Sequence, residues 1–513
     1  MKNSVSRTKR TIQNARISFL LFLVQILIGF YSRKIFLDYL GTEVLGLNTT
    51  LGNILSFMNL AELGIGIAMA TSLYKPINNN DQESICEIIT VQGILYRRIA
   101  FFICGVGAIV MFLLPYLFPS TECGITYVFI SFIVFLSGSI FSYLWNYKQI
   151  LIGADQKNFK LLPWIHGVRY SKVGLQILCL TIFHWGIWGW IFWEFIGNIV
   201  LTIAINFIMR KEYPWLHTID CKKDILLKKY HHLLTKTKQL FVHKLAYFIL
   251  EQTTPLIIYG YVSLTMVTYY GNYMLILGYV STLVNVIFDG MGASIGSLVA
   301  DNNRTHIINV FWELFTSRIW IASIACIGLF YFTSPFISLW IGHDYILSDT
   351  TLLLLVISVF IKMSRGVVDS FKDAYQLFGD VWAPIIEAII NLGCSIILGS
   401  IWGLNGILIG SNLSLIFIVV LWKPYYLLKN GLKESCINYF IRYLYHILVI
   451  ATCAYISTLY LGLFLSDNLL IFITHRIIGF ILYIVTSFCL LFVSTQGMKL
   501  FSKRIISIIS QKI

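Results

Sequence analysis

Apolar residues in this chain come in blocks of about 20 to 30, separated by short stretches that carry the charges, prolines and polar turns. A membrane-spanning helix needs about 20 consecutive apolar residues. On that measure the pattern predicts spans over 17–39, 47–74, 92–118, 125–149, 161–184 and 186–209, then 237–260, 267–299, 308–333, 349–374, 381–400 and 403–428, and finally 437–463 and 467–496. A polar, basic stretch at 210–236 separates the sixth span from the seventh. Several blocks exceed what a bilayer requires, so their ends are expected to project into water. The first block runs past 20 residues without a small-residue cleavage site, which reads as an uncleaved span and not as a signal peptide.

Composition excludes the main alternatives. Of 513 residues, 58% are apolar and only 12% charged, against roughly 25% charged in soluble domains. A soluble multidomain enzyme and a disordered chain are both ruled out. The expected class is an all-α polytopic membrane protein with about 14 transmembrane helices. Ten cysteines form no CxxC or metal-spaced pair and read as small core residues.

The net charge of +14 could suggest nucleic acid, but its distribution points to orientation of the spans instead. With the N-terminus inside, the bases of the inner segments (Lys2 to Arg16, Lys75, Lys148, Lys157, Lys160, the run Arg210 to Lys236, Arg304, Lys372, Lys423 to Lys433, Lys499 to Lys512) all fall on one side. The outer loops carry only acids such as Glu43, Glu122, Asp344, Asp349 and Asp467. A miscounted span would invert this pattern downstream, and it never inverts. Both termini are therefore expected in the cytoplasm.

The two groups of six spans look related. Glu62-Leu-Gly-Ile-Gly-Ile-Ala-Met-Ala-Thr-Ser-Leu73 in span two resembles Asp289-Gly-Met-Gly-Ala-Ser-Ile-Gly-Ser-Leu-Val-Ala300 in span eight. Each puts an acid before a run of small residues. Six spans between copies is an even number, so the copies are expected to be parallel. The predicted organisation is a tail (1–16), an N-lobe (17–209), the basic linker (210–236), a C-lobe (237–428), two further helices (429–496) and a tail (497–513). Two pseudo-symmetric six-helix lobes around a central cavity, plus two C-terminal helices, is the expected architecture.

Ionisable residues inside spans cost a few kcal/mol each and usually face a cavity or a partner. Arg33 and Lys34 in span one, Arg169 and Lys172 in span five, Arg318 in span nine, and Lys362 and Arg365 in span ten are candidate binding residues for an anionic substrate. Lys362, Arg365, Asp369 and Lys372 are spaced to share one helix face. Glu62, Glu251, Asp289 and Asp369 are candidate coupling or salt-bridge acids, while Glu194 and Glu387 are further acids within spans. Snorkelling of Arg33, Lys34 and Arg169, or an internally paired ladder in span ten, is the alternative for any single residue. Basic residues in four of twelve spans favour a cationic cavity. No Walker A, HExxH or GxSxG motif is present, and His231-His232 in the linker is read as solvated. The reading is a transporter and not an enzyme, with no catalytic residue, no metal site and no nucleic-acid partner.

At this point the chain resembles the Wzx-like polysaccharide-exporter flippases of the MATE-like MOP superfamily. The resemblance rests on Arg33-Lys-Ile-Phe-Leu-Asp-Tyr-Leu-Gly-Thr-Glu-Val-Leu-Gly-Leu-Asn48, on Leu60-Ala-Glu-Leu-Gly-Ile-Gly66 and on Ile150-Leu-Ile-Gly-Ala-Asp-Gln-Lys157. It implies a MATE-like lobe arrangement in the bacterial inner membrane. It also implies translocation of undecaprenyl-pyrophosphate-linked oligosaccharide repeat units, for lipopolysaccharide O-antigen or capsule, by alternating access. The expected partners are that lipid-linked oligosaccharide, membrane lipids and polysaccharide polymerase or assembly proteins. No cofactor is implied beyond a coupling proton or sodium ion. A MATE-type multidrug or cation antiporter is the alternative. A membrane-embedded glycosyltransferase would usually need a large outer loop, and none here exceeds about sixteen residues.

Overall fold

The computed structural model describes residues 7–62, 65–119, 121, 123–219, 226, 229–230, 252–289, 295–296, 298–299, 303–375, 377, 379–463 and 469–510. The described residues are all-helical, with 91% helix and no strands among them. In chain order the helices are α1 (Arg7–Met58), α2 (Ile65–Asn79), α3 (Gln82–Leu117), α4 (Ile125–Leu144), α5 (Ile150–Ala154), α6 (Asn158–Thr181), α7 (Gly186–Glu212), α8 (Leu264–Asp289), α9 (Arg304–Trp340), α10 (Asp349–Ser364), α11 (Gly366–Ala374), α12 (Trp382–Ser414), α13 (Lys423–Leu427), α14 (Cys436–Leu463), α15 (Leu469–Ser494) and α16 (Gln496–Ser510). Residues 252–261 are also helical. Wide-turn π-helical segments, Leu415–Trp422 and Leu428–Leu432, flank α13.

Among the described residues, nine helical stretches are long and apolar enough to cross a membrane. Two of them contain a sharp break at a glycine. Gly41 inside α1 takes φ +80° and Gly403 inside α12 takes φ +56°. Both values suit glycine and strain other residues. Gly41 falls between the blocks predicted as spans one and two, and Gly403 opens the block predicted as span twelve. The surface has the apolar character that lipid demands: Phe112 is 80% exposed, Tyr116 83% and Leu463 79%. A water-facing surface would not carry so continuous an apolar cover. The molecule is a multi-pass membrane protein.

The chain divides into two compact units. The first takes Met1–Tyr259 and Ser263–Thr268, and the second takes Gly260–Val262 and Tyr269–Ile513. In the first unit α6 and α7 form a hairpin, α1 packs on α6, and α4 packs on both α3 and α7. In the second, α9 is central and packs against α10, α14, α15 and α16. The last two predicted spans are thus built onto the second unit through α9. The predicted basic linker beyond 219 (apart from Leu226, Lys229 and Tyr230), His231-His232, predicted span seven up to Glu251, and the span-eight segment 290–294 lie outside the described residues.

The units repeat one another in detail. Asp81 caps α3 by accepting from the Ser84 amide at 3.0 Å, and Asn303, 222 residues on, caps α9 by accepting from the His306 amide at 3.2 Å. The helix after each is interrupted. In the first unit α4 ends before Trp145, a 3-10 turn over Asn146–Gln149 follows, and α5 resumes. In the second, α10 ends before Arg365 and α11 resumes.

Candidate functional site

Each interruption frees backbone carbonyls that lipid cannot satisfy, so side chains must do so. In the first unit Gln92 on α3, only 1% exposed, donates from Nε2 to the Tyr147 carbonyl at 3.1 Å. In the second, Arg318 on α9 donates from Nε to the Met363 carbonyl at 2.6 Å and from Nη2 to Asn285 Oδ1 at 2.9 Å. Its guanidinium also lies 4.6 Å from the centre of the Phe288 ring. Gly366 leaves the room it needs, since a Cβ there would come within 2.3 Å of the guanidinium. Arg318 is 7% exposed and acts as a plug for the helix break.

The interruption at Arg365 leaves the helical register in place: Arg365 keeps right-handed helical dihedrals, its amide bonds to the Ile361 carbonyl at 3.2 Å and its carbonyl accepts from the Asp369 amide at 3.1 Å. Arg365 and Lys423 both reach Asp369, at 3.2 and 3.3 Å. Lys372 turns instead to Asp380 at 2.6 Å, and Asp380 also accepts from Trp422 Nε1. Glu387 on α12 is 3% exposed, and its Oε1 has no hydrogen-bond partner. Its charged neighbours are Lys423, Arg365, Asp369 and Lys362. Sequence reasoning had placed neither Lys423 nor Asp380 in this cluster. Lys423 was counted with the inner-side bases, and Asp380 falls just before the block predicted as span eleven.

In the first unit the predicted span two is likewise broken, by the 3-10 turn Asn59–Glu62. Tyr96 donates to Glu62 Oε1 at 2.7 Å, Tyr143 donates to Asn59 Oδ1 at 3.0 Å, and Asn59 donates to Ser139 Oγ at 3.1 Å. Asn59, Glu62, Ser139 and Tyr143 wall a cavity of about 370 Å³ that is also lined by Phe135, Gly138, Ser142, Glu194 and Asn198. Two carboxylates and several neutral oxygens in one polar chamber can hold a proton or a small cation. Among the described residues no group of three or more His, Cys, Asp or Glu is arranged to hold a metal ion.

The other basic candidates are distributed unevenly. Lys172 is neutralised by Glu194 at 2.6 Å, with Gln176 on the second carboxylate oxygen at 3.1 Å. Arg33 is half-buried and donates to the Thr268 carbonyl at 3.4 Å, whereas Lys34 and Arg169 are exposed. Glu251 and the Asp289 side chain lie outside the described residues. Tyr96, Tyr143 and Gln92 were missed, and their signal was a polar group inside an apolar block.

This fold, with its interrupted helices in two repeating units, is similar to those of a solved lipid flippase and of solved MATE transporters. The lipid II flippase MurJ in its inward closed conformation superposes with a TM-score of 0.64 at 16% identity, over 92% of this chain and 98% of MurJ. An inward-facing multidrug resistance MATE family transporter of the MOP superfamily gives 0.58 at 14%, over 82% of this chain and 99% of that one. The Vibrio cholerae MATE transporter VcmN, in a mutant form, gives 0.52 at 16%, over 83% and 98%. No family model matches the chain, and no curated protein sequence matches it.

Proposed function

We propose that this protein is a flippase that moves undecaprenyl-pyrophosphate-linked oligosaccharide repeat units across the bacterial inner membrane by alternating access, for O-antigen or capsule assembly. In this reading it has fourteen spans and both termini in the cytoplasm. The observation that carries it is the extent of the structural likeness. MurJ matches 92% of the chain and the MATE transporters 82–83%. The difference, about a tenth of the chain, is the size of the α14–α15 pair.

Of the basic candidates, the partly buried Arg33 in the first unit, and Lys362 and Arg365 in the second, are carried forward for the diphosphate. Lys34 and Arg169 are exposed, Lys172 is bound to Glu194, and Arg318 serves the helix break. Moving about two negative charges outward across 100 mV, inside negative, gains roughly 4–5 kcal/mol. Glu62 and Glu387 supply coupling groups for a proton or sodium ion.

The test is expression in a bacterium lacking its own repeat-unit flippase, with membrane insertion verified. Restored surface polymer, lost in the Arg33→Ala/Arg365→Ala double variant, supports the reading. Polymer that survives both substitutions removes the diphosphate clamp. Absence of polymer together with resistance to cationic drugs selects the antiporter alternative.

A further inference from the structure

Helix α7 stands between two cavities. Glu194 and Asn198, about one turn apart, line the polar chamber described above. The adjacent stripe of Trp193, Ile196, Gly197 and Val200 lines a groove of about 400 Å³, bounded on the α6 side by residues from Pro163 to Lys172. On α6 the groove therefore extends about 13.5 Å. Trp164, Gly167, Ser171 and Val200 are exposed, so it opens at the surface of the first unit. Lys172 lines the groove and Glu194 the chamber, yet their charged atoms are 2.6 Å apart. Gly197 lets the lysine stem pass, because a Cβ there would collide with Lys172 Cγ and Cδ. This one ion pair bridges a polar chamber and an apolar groove.

Held by Glu194, the ammonium offers little net charge to a second anion. When the carboxylate loses its charge, the lysine is left uncompensated, and a partly buried cation in that state favours any anion that can reach it. The groove defines which anion fits. Lys172 and the Ser171 hydroxyl at one end suit a phosphate. Val168, Ile196 and Val200 continue from there to Trp164 and suit a hydrocarbon chain. We propose that Lys172 and Glu194 form a charge switch, in which a proton or sodium ion taken up by the chamber neutralises Glu194 and releases Lys172 to hold the phosphate of a polyprenyl phosphate or diphosphate in the α6–α7 groove. The titratable and charged groups around Glu194 are Lys172 on α6, Glu62 on the 3-10 turn, and Tyr127 and Tyr143 on α4. By linkage, phosphate in the groove tightens the chamber's hold on its cation by the same factor. The polyprenyl ligand and the coupling ion rest on the function proposed above, while the release of Lys172 does not.

The experiment measures equilibrium binding of radiolabelled farnesyl diphosphate to the purified full chain in detergent. Glu194→Gln, which keeps the shape of the carboxylate without its charge, is expected to bind it roughly five-fold or more tightly than the wild type. Lys172→Gln/Glu194→Gln leaves no unpaired charge and is expected to lose that gain. No gain in Glu194→Gln, or a gain that survives the loss of Lys172, overturns the proposal. The wild type supplies a second test that needs no substitution. Tighter binding in sodium chloride than in choline chloride at neutral pH identifies sodium as the neutralising ion. Tighter binding at acid than at neutral pH in choline chloride identifies the proton. No response to either overturns the switch. Every readout is binding and not transport, so the switch can fail while flipping succeeds, and the reverse.

Discussion

Lys172 and Glu194 join α6 to α7 through a 2.6 Å ion pair, with each side chain less than one-fifth exposed and Gln176 closing the second carboxylate oxygen. The Lys172 stem also packs on Gly197 of α7. Removing one member of a buried pair leaves an uncompensated charge, which costs on the order of 3 kcal/mol, whereas removing both costs much less. Lys172→Met should therefore lower the thermal unfolding midpoint of the purified protein well below that of Lys172→Met/Glu194→Leu. If the single variant is as stable as the double, the pair is not holding the hairpin.

The spans were legible because lipid imposes a length and a composition on every helix that crosses it. The repeat was legible only faintly, through Glu62 and Asp289 and the small residues that follow them. What the sequence did not display is how breaks such as the one at Arg365 are satisfied. Gln92 and Arg318 stand 226 residues apart, share no side-chain chemistry except a nitrogen donor, and plug equivalent breaks. Equivalent geometry does not require equivalent residues, so a comparison of letters passes over it. For the same reason a spacing of 3, 4, 3 in span ten could not show that Lys372 is taken by Asp380, which lies beyond the end of that helix.

The Arg318 plug carries its own prediction. Charge-assisted hydrogen bonds are worth about 1.5–3 kcal/mol each, and Arg318→Met would leave the Met363 carbonyl and Asn285 without them. A loss of at least about 3 kcal/mol is expected. Gly366→Ala keeps the arginine but crowds its guanidinium, so it should cost about 1–3 kcal/mol. Thermal unfolding of both variants checks this, and a harmless Gly366→Ala would mean that the guanidinium has room to move.

Glu62 separates a structural role from a coupling role. In Glu62→Gln the amide oxygen still accepts the Tyr96 hydroxyl, so stability should change by less than about 1 kcal/mol. The ionisable group is gone, so transport driven by a proton or sodium gradient should fall at least ten-fold. Gradient-driven uptake or flipping in proteoliposomes would show it. Full activity in Glu62→Gln removes this residue from the coupling scheme.

The start of α3 gives a pH dependence outside the membrane. At 36 residues, α3 is about 54 Å long against a hydrocarbon core of about 30 Å, so its first turns stand in water. There Glu87 accepts from Lys229 and from Tyr230, both at 2.6 Å. Burial raises the Glu87 carboxyl, but the two hydrogen bonds outweigh it and hold the group below its ordinary value of 4.5. The hydrogen bond to Glu87 raises Lys229 above its ordinary 10.5. The carboxylate's contribution is complete above pH 4.5 and is lost as pH falls through its lowered value. The ammonium's contribution is complete below pH 10.5 and is lost as pH rises through its raised value. Hydrogen exchange at Leu226, Lys229 and Tyr230, corrected for intrinsic rates, should show protection across this window and loss at acid pH, below the ordinary carboxyl value of 4.5. Glu87→Gln should show that loss already at pH 7, and an unchanged variant would mean that the contact does not anchor this segment to α3.

A final comparison uses the repeat as its own control. In the first unit Lys157 pairs with Asp155 at 2.6 Å and lies 5.2 Å from the ring centre of Tyr213, whose hydroxyl also donates to Asp155. In the second, Lys372 pairs with Asp380 at 2.6 Å and lies 5.0 Å from the ring centre of Tyr426. Base, acid and aromatic ring recur at the same junction, but the surroundings differ. The Lys157 and Asp155 side chains are 23% and 13% exposed, and those of Lys372 and Asp380 are 11% and 9%. Water reaching the first pair screens it, so Lys157→Met should cost about 1 kcal/mol or less. Around the second, the abandoned carboxylate keeps only the Trp422 indole as a donor, and Lys372→Met should cost about 3–5 kcal/mol. Unfolding midpoints of the two variants, measured side by side in one detergent, should differ in that order. Equal losses would mean that the two sites are equally wet in the membrane, and that burial does not set the strength of this junction.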